Sequence, residues 1–366
     1  MSAPQPPSAL IDSAREVRAE DALPVDPLMQ VLRAEIPGLD GPPQVRQFPG
    51  GASNLTYLLT WGDRELVLRR PPRGHRAGAA HDMVREAKIL RAVRPRFPAV
   101  PDVLLVCADP EPLGAPFFVM ERLRGVILRD DIPAGLADTD AARRSLCAGV
   151  LDGLTAIHTA LTDADLASPD IAWLSKGAGY ARRQIDGWSA RWRAAQTPGA
   201  PDAERVMAWL DRNCPQDSAQ RLIHGDFRFD NVVLSLAPPH PVIGVLDWEM
   251  ATVGCPLMDW GASLAYWVEA KDDLVMHMMR RQPTHLPGMF TRAEIWERVG
   301  AQLGRPVDDP GVYEIYGLFR LAVILQQIWA RVVAGHTQNP AFAAFGDLAS
   351  YLIARCGAQI EARGEA

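Results

Sequence analysis

The sequence predicts an α+β chain in two lobes, a small N-terminal lobe built on an antiparallel sheet and a larger, mostly helical C-terminal lobe. Three observations predict it. Segments of strand character at 45–48, 55–61 and 65–69 crowd into the first third, joined by a Gly-rich loop and a tight Gly62-Asp63 turn. Beyond Gly125 the apolar period lengthens to that of a helix, with Leu146, Val150, Leu154, Ile157 and Leu161 at steps of three and four. The chain has 366 residues, 48% hydrophobic and 22% charged, which is more than one small core needs and unlike a disordered or fibrous chain.

Taken in order, residues 1–25 mix Pro, Ala and charge without a period and read as a mobile N-terminal arm or a loosely docked lead-in. Residues 26–122 form the N-terminal lobe and 123–366 the helical one. Pro71-Pro72 ends the third strand, a helix runs from about residue 80 to 93, and short apolar runs at 104–106 and 117–120 complete a sheet of about five strands. The long helix after Gly125 opens at a Thr139/Asp140 cap. Further helices are expected at 180–195, 202–212, 272–281, 293–303, 313–333 and 342–360. The runs 232–234 and 242–246, joined through Pro238-Pro239, read as a strand pair inside the second lobe.

Composition excludes several classes of function. Lys plus Arg number 38 against 44 Asp plus Glu, a net charge of −6, so the basic excess of a nucleic-acid-binding protein is missing. Only Lys88, Lys176 and Lys271 are lysines, so chemistry that wants a lysine has few to choose from. Five widely spaced cysteines without a Cys-x-x-Cys pair argue for reduced thiols and against zinc. There is no run of 18 apolar residues and no signal-peptide core, which points to a cytoplasmic protein with no membrane partner.

The strongest signal is His224-Gly225-Asp226-Phe227-Arg228-Phe229-Asp230-Asn231, followed 16 residues after Asn231 by Asp247-Trp248-Glu249. The first part has the form His-x-Asp-x-x-x-x-Asn of a kinase catalytic loop, and the second supplies a metal-binding aspartate. If the two apolar runs between them pair as a hairpin, Asn231 opens one strand and Asp247 closes the other. Opposed Cβ atoms then lie roughly 4.5–5.5 Å apart, close enough to share a metal. One amide and one carboxylate suit Mg²⁺, which lets phosphates and waters fill its octahedron. Asp226 would accept or orient the proton of an acceptor hydroxyl. The bland alternative is a polar turn between strands.

A second constellation lies in the small lobe. On a helix, Met83, Ile89, Leu90 and Val93 fall within about 60° of Glu86, which centres the carboxylate on the buried stripe. A buried carboxylate needs a cation, and Lys88 faces the other way. Arg69, on the same strand face as Val67, is the candidate for the α/β-phosphate ligand paired with Glu86, unless it is a solvated edge residue and Glu86 caps something local. Gly50, Gly51, Ser53 and Asn54, between two strands, would let backbone N–H groups approach phosphates, although most Gly-Gly pairs are simply turns. Main-chain groups of Glu121 and Leu123, at the junction of the halves, would pair with an adenine edge, or form an ordinary interdomain linker. Arg228 is a phosphate or product contact or else a surface charge, and Asp259 a brace for the catalytic loop or a helix cap. His158 and His277 read as core or surface histidines.

These motifs resemble the aminoglycoside phosphotransferase and choline kinase superfamily, relatives of protein kinases, from about Val45 to Trp260. The resemblance implies a two-lobed protein-kinase-like fold, ATP as donor, Asp226 as catalytic base with His224 in its loop, and Mg²⁺ on Asn231 and Asp247. Leu68-Arg69-Arg70-Pro71-Pro72 and Phe117-Phe118-Val119-Met120-Glu121 are similar to the branch fused to acyl-CoA dehydrogenases, whose relatives act on hydroxyacyl-CoA compounds. Arg69 departs from the lysine of antibiotic-resistance members.

The acceptor is expected to be a small-molecule hydroxyl. From Val268 onward 11 acidic residues face 10 basic ones, unlike the acidic cleft a polycationic drug would favour. Tyr266, Trp267, Trp296, Tyr316, Phe319 and several methionines suit a partly apolar acceptor, such as a hydroxyacyl-CoA or another amphipathic alcohol, unless they only pack between helices. Two other functions fit the sequence less well. One is a non-catalytic nucleotide-binding pseudokinase, suggested by the missing lysine. The other is a metal-dependent phosphoesterase built on His224-Gly225-Asp226, for which further ligand motifs are missing.

Overall fold

The strands of the N-terminal third are buried in continuous runs rather than on alternate residues, Tyr57–Leu59 on one, Leu66–Arg70 on the next and Phe117–Met120 on a third, and they build an antiparallel sheet covered on both faces. The computed structural model describes residues 10–49, 54–72, 82–337 and 339–364. The chain divides into two compact units, residues 1–172 with 229–251 and residues 173–228 with 252–366.

The first unit opens with a docked lead-in. Arg15 exchanges backbone hydrogen bonds with Gln47 at 2.8 Å, and the Tyr57 hydroxyl donates to the Asp21 carbonyl at 2.7 Å. Helix α1 (Val25–Glu35) is an element the periodicity does not announce. Pro27 stands in its first turn, where a missing N–H is harmless, and Leu28, Met29 and Leu32 make a stripe too short to register. Strands β1 (Gln44–Gln47), β2 (Leu55–Trp61) and β3 (Arg64–Arg70) follow, then α2 (Met83–Val93), β4 (Val103–Cys107) and β5 (Phe117–Glu121). Among the described residues this is the antiparallel five-stranded sheet that the sequence predicts, and its order is β1-β2-β3-β5-β4. Leu28 and Leu32 pack on Tyr57, Leu59, Leu66 and Leu68 as one core. Helix α2 starts at Asp82, whose carboxylate accepts from the Arg85 N–H, and it packs on β4 and β5. Helix α3 (Asp140–Thr159) begins at the expected Thr139 cap, and α4 (Asp163–Ala167) follows through a capping box at Thr162.

The chain then enters the second unit with α5 (Tyr180–Ala194), α6 (Glu204–Arg212) and β6 (Arg221–Ile223). It returns to the first for the hairpin of β7 (Val232–Leu234) and β8 (Val242–Val245), then re-enters the second at β9 (Thr252–Gly254). Helices α7 (Pro256–Leu264), α8 (Leu274–Met279), α9 (Arg292–Leu303), α10 (Pro310–Val333) and α11 (Phe345–Ala362) complete it. β6 and β9, three residues each, pair antiparallel and lie outside the sequence prediction because such runs carry no period. The expected helix at 272–281 contracts to α8, because Asp273 caps it by accepting from Val275 and Met276.

Two features hold the second unit. Helices α7 and α10 cross at Gly261 and Gly317, where a Cβ added at Gly317 would stand 2.0 Å from the Gly261 carbonyl oxygen. Nearby, the Asp272 carboxylate takes hydrogen bonds from both Arg292 Nη atoms at 2.9 Å and from Arg355 at 2.6 Å. Burial pushes the Asp272 carboxyl up, but those guanidiniums and the Glu269 N–H outweigh it and bring it down to about 2. Among the described residues no helix is long and apolar enough to cross a membrane.

Gly317→Ala should lower stability by about 1–3 kcal/mol through overpacking. Gly149→Ala, on α3 where an added Cβ meets nothing within 4 Å, should raise it by about 0.5–1 kcal/mol; denaturant midpoints read both. Because the Asp272 pKa is depressed, its contribution is present above the ordinary aspartate value and is lost as pH falls toward about 2. The melting-temperature gap between the unaltered protein and Asp272→Asn should therefore be wide at neutral pH and close in acid.

Candidate active site

The first unit gathers every described residue assigned to nucleotide or metal, although the contributing segments are more than a hundred residues apart. Glu86 sits on the apolar stripe of α2 and is 1% exposed. From β3, Arg69 reaches it with Nη1, while Nη2 donates to Asp247 Oδ1 at 3.0 Å. The Trp248 N–H donates to the same Glu86 oxygen at 3.3 Å. Burial alone would pull the Arg69 pKa down, but the carboxylates of Glu86 and Asp247 outweigh it and hold it above the ordinary arginine value. Burial pushes the Glu86 carboxyl up, against the guanidinium and the Trp248 N–H, which favour the anion.

The single 3-10 turn that follows Asp247, Trp248–Met250, is stitched to the same helix. Arg85 donates to the Glu249 carbonyl at 2.7 Å and to the Ala251 carbonyl at 2.6 Å. Asn54 Nδ2 donates to Glu249 Oε2 at 2.7 Å, so this end of the Gly-rich loop is anchored beside Asp247. Gly50, Gly51 and Ser53 lie outside the described residues. Arg85 and Glu249 carry no signal in the sequence; each acts only through its place beside Glu86 or Asp247. Asp247 itself holds φ 66° and ψ 61°, a left-handed conformation uncommon outside glycine that asparagine and aspartate adopt more readily than other residues.

The hairpin carries Asn231 to Asp247 as expected. Val232 pairs with Val245, and the Leu246 N–H donates to the Asn231 carbonyl at 2.8 Å, so both polar residues stand at one end of the β7–β8 ladder. Among the described residues no group of three or more His, Cys, Asp or Glu could hold a metal by itself. An oxygen-only pair, one amide and one carboxylate, nevertheless fits Mg²⁺, which binds through one or two carboxylates when substrate phosphates complete the shell.

The other end of the hairpin is tied to the segment after β5. Val126 and Leu234 exchange backbone hydrogen bonds at 2.8 Å, and a Cβ on Gly125 would stand 2.3 Å from the Leu234 carbonyl oxygen. Leu123 lies over Gly244, where an added Cβ would meet its Cδ1 at 2.1 Å. The Glu121 carboxylate accepts from the Asp102 N–H at 2.8 Å and from Arg94 at 3.0 Å, and its N–H donates to the Asp102 carbonyl. The Glu121 side chain and amide thus serve the sheet.

The second unit holds the loop with His224, Asp226 and Arg228. Asp259, on the first turns of α7, accepts from the His224 N–H at 2.9 Å and from the Gly225 N–H at 2.8 Å. It braces the loop and is not a helix cap. His224 is fully buried, and its Nδ1 accepts from the Asp226 N–H at 3.3 Å. Ser263 Oγ donates to the Phe227 carbonyl at 2.7 Å. Arg228 donates to Asp226 Oδ2 at 3.2 Å and lies over the Tyr266 ring at 4.6 Å, so it is not a free surface charge. In the same unit a groove of about 970 Å³ is lined by Lys271, Trp296, Arg305, Pro306, Val307 and Glu314 among others.

Comparison with known proteins gives this arrangement a context. The chain is 32% identical over 336 residues to acyl-CoA dehydrogenase family member 10 of Mus musculus, covering 90% of this chain and 30% of that protein. The chain thus spans about a third of that curated relative's length. A putative aminoglycoside phosphotransferase from Ralstonia eutropha JMP134 is 26% identical with a TM-score of 0.75, covering 92% of this chain and 98% of that one. A thermostable aminoglycoside phosphotransferase variant, solved as a ternary complex with AMP-PNP and hygromycin B, shares the fold with a TM-score of 0.54 at 18% identity, over 91% and 97% of the two chains. The two-lobed kinase-like fold is therefore that of this chain. The model of the phosphotransferase enzyme family matches residues 44–296, well over half of the sequence, and the protein belongs to that family.

Proposed function

We propose that this protein is an ATP- and Mg²⁺-dependent O-phosphotransferase acting on the hydroxyl of a small amphipathic molecule. The observation that carries the reading is the Arg69 fork between Glu86 and Asp247, which ties the sheet, α2 and the metal-ligand candidate into one network. In that reading Arg69 holds the α- and β-phosphates in place of the usual lysine, and main-chain groups around Glu121 and Leu123 meet the adenine. Gly50, Gly51, Ser53 and Asn54 supply the phosphate loop. Asn231 and Asp247 hold Mg²⁺, which when bound neutralises charge on the triphosphate.

The step assigned to Asp226 is simple. The acceptor oxygen forms a bond to the γ-phosphorus as the bond from that phosphorus to the β–γ bridging oxygen breaks. ADP leaves with that electron pair, and the acceptor proton passes to Asp226. His224 and Asp259 position the loop, and Arg228 steadies the carboxylate. Positioning and electrostatic stabilisation carry the rate, without a covalent enzyme intermediate. The clamped loop favours this reading over a non-catalytic nucleotide binder.

The groove of the second unit supports an amphipathic acceptor. Trp296, Pro306 and Val307 offer apolar surface, while Lys271 and Arg305 stand against Glu297 and Glu314, so its charges balance. That balance suits a polycation poorly. Segment 266–271 joins the groove to the loop: Tyr266 lies under Arg228, and the Trp267 carbonyl accepts from Arg292 of the groove wall at 2.7 Å. The acyl-CoA dehydrogenase relatives bring a hydroxyacyl thioester into the set of acceptors to be tried.

The test is ADP release with MgATP across hydroxyacyl-CoA, choline, sugar and aminoglycoside acceptors. Asp226→Asn should lower turnover by about 10²- to 10⁴-fold while still binding MgATP. Undiminished transfer by that variant would refute the assignment.

A further inference from the structure

Arg320, on α10, is 5% exposed, and a buried charge is costly unless it is paired or hydrogen-bonded. Its Nη2 donates to the Gly225 carbonyl at 2.6 Å, and the guanidinium lies over the Trp188 ring at 5.3 Å. Burial pulls the Arg320 pKa down, but the surroundings hold it above the ordinary arginine value. Tyr316, Tyr266 and Tyr180 are phenols, uncharged near neutral pH, and Asp226 is the carboxylate among these leading neighbours.

The Gly225 carbonyl belongs to the peptide that carries Asp226. The N–H of Gly225 is fixed by Asp259, and Gly225 itself has φ 81°, a turn that leaves the next peptide plane without support from regular structure. We propose that Arg320 is a positioning residue for phosphoryl transfer. It fixes the carbonyl end of the Gly225–Asp226 peptide, whose N–H is held by His224 Nδ1 at 3.3 Å, while Asp259 fixes the peptide before it. The cation–π contact with Trp188 adds a second hold on the guanidinium. This inference rests on the reading of Asp226 as the base.

The experiment compares Arg320→Met, Arg320→Lys and Asp226→Asn by ADP release, using MgATP with water and with the best acceptor from the screen, alongside melting temperatures. Arg320→Met should lower kcat about tenfold or more with the KM for ATP within about twofold, because a misplaced catalytic group loses transition-state and not ground-state interactions. Arg320→Lys, which keeps the charge and one donor, should recover part of that loss. In the Asp226→Asn background, Arg320→Met should cost little more, since the two act as a unit. A folded Arg320→Met with unchanged kcat would overturn the proposal. So would a parallel loss of kcat, ATP affinity and melting temperature that lysine does not relieve. Should Arg320→Met fail to fold, Arg320→Lys against Arg320→Gln decides by the same split. An active Asp226→Asn would instead sink the reading of the base, whereas an inactive one beside a fully active Arg320→Met would sink only this inference.

Discussion

A carboxylate on the buried face of α2 constrains the first unit more than any other group. Glu86 cannot be left without a cation there, and leaving one charge of such a pair alone typically costs about 3–5 kcal/mol. Arg69 answers it with a planar fork whose second arm reaches Asp247 at 3.0 Å. A lysine would offer one point charge on a flexible stem, whereas the guanidinium can bond two carboxylates at once. The consequence is that β3, α2 and the segment after β8 are held in register by one side chain, with Arg85 and the Trp248 N–H adding further bonds between the helix and residues 248–251. Asp247 keeps its left-handed backbone inside that frame.

Much of this was readable from the residues, for identifiable reasons. The periodicity of 83–93 put Glu86 on the buried face, and strand alternation put Arg69 where it could meet it. The hairpin followed from two apolar runs, and its register brings Asn231 and the residue before Asp247 together. The rest has no period to read. α1 hides behind Pro27 and a three-residue stripe, and β6 and β9 are too short to alternate. Asp259 could be named but not assigned, because a carboxylate near a helix start looks the same whether it caps its own helix or reaches a loop 35 residues away. Arg320, 95 residues from the carbonyl it bonds, had no local signature at all.

The second unit shows why the acceptor is harder to read than the donor. A site for phosphate and magnesium imposes fixed geometry on a few residues, so a motif proposed for one can be read in a sequence. An acceptor groove is set by surface shape and charge balance, and the groove proposed for it here is lined by Lys271, the α9 wall and the loop before α10. Aromatic residues such as Trp192 and Phe319 pack in the core, while Trp296 lines the groove, and the sequence does not distinguish them. Fold likeness does not supply that answer, since one fold serves many acceptors.

The proposed role of Arg69, a lysine's work on the nucleotide, is tested most directly by calorimetric titration of MgATP into the unaltered protein, Arg69→Lys and Arg69→Met. The account predicts that Arg69→Met loses about tenfold or more in affinity, at least about 1.4 kcal/mol, while Arg69→Lys retains part of it. Equal affinity in all three folded proteins would contradict it.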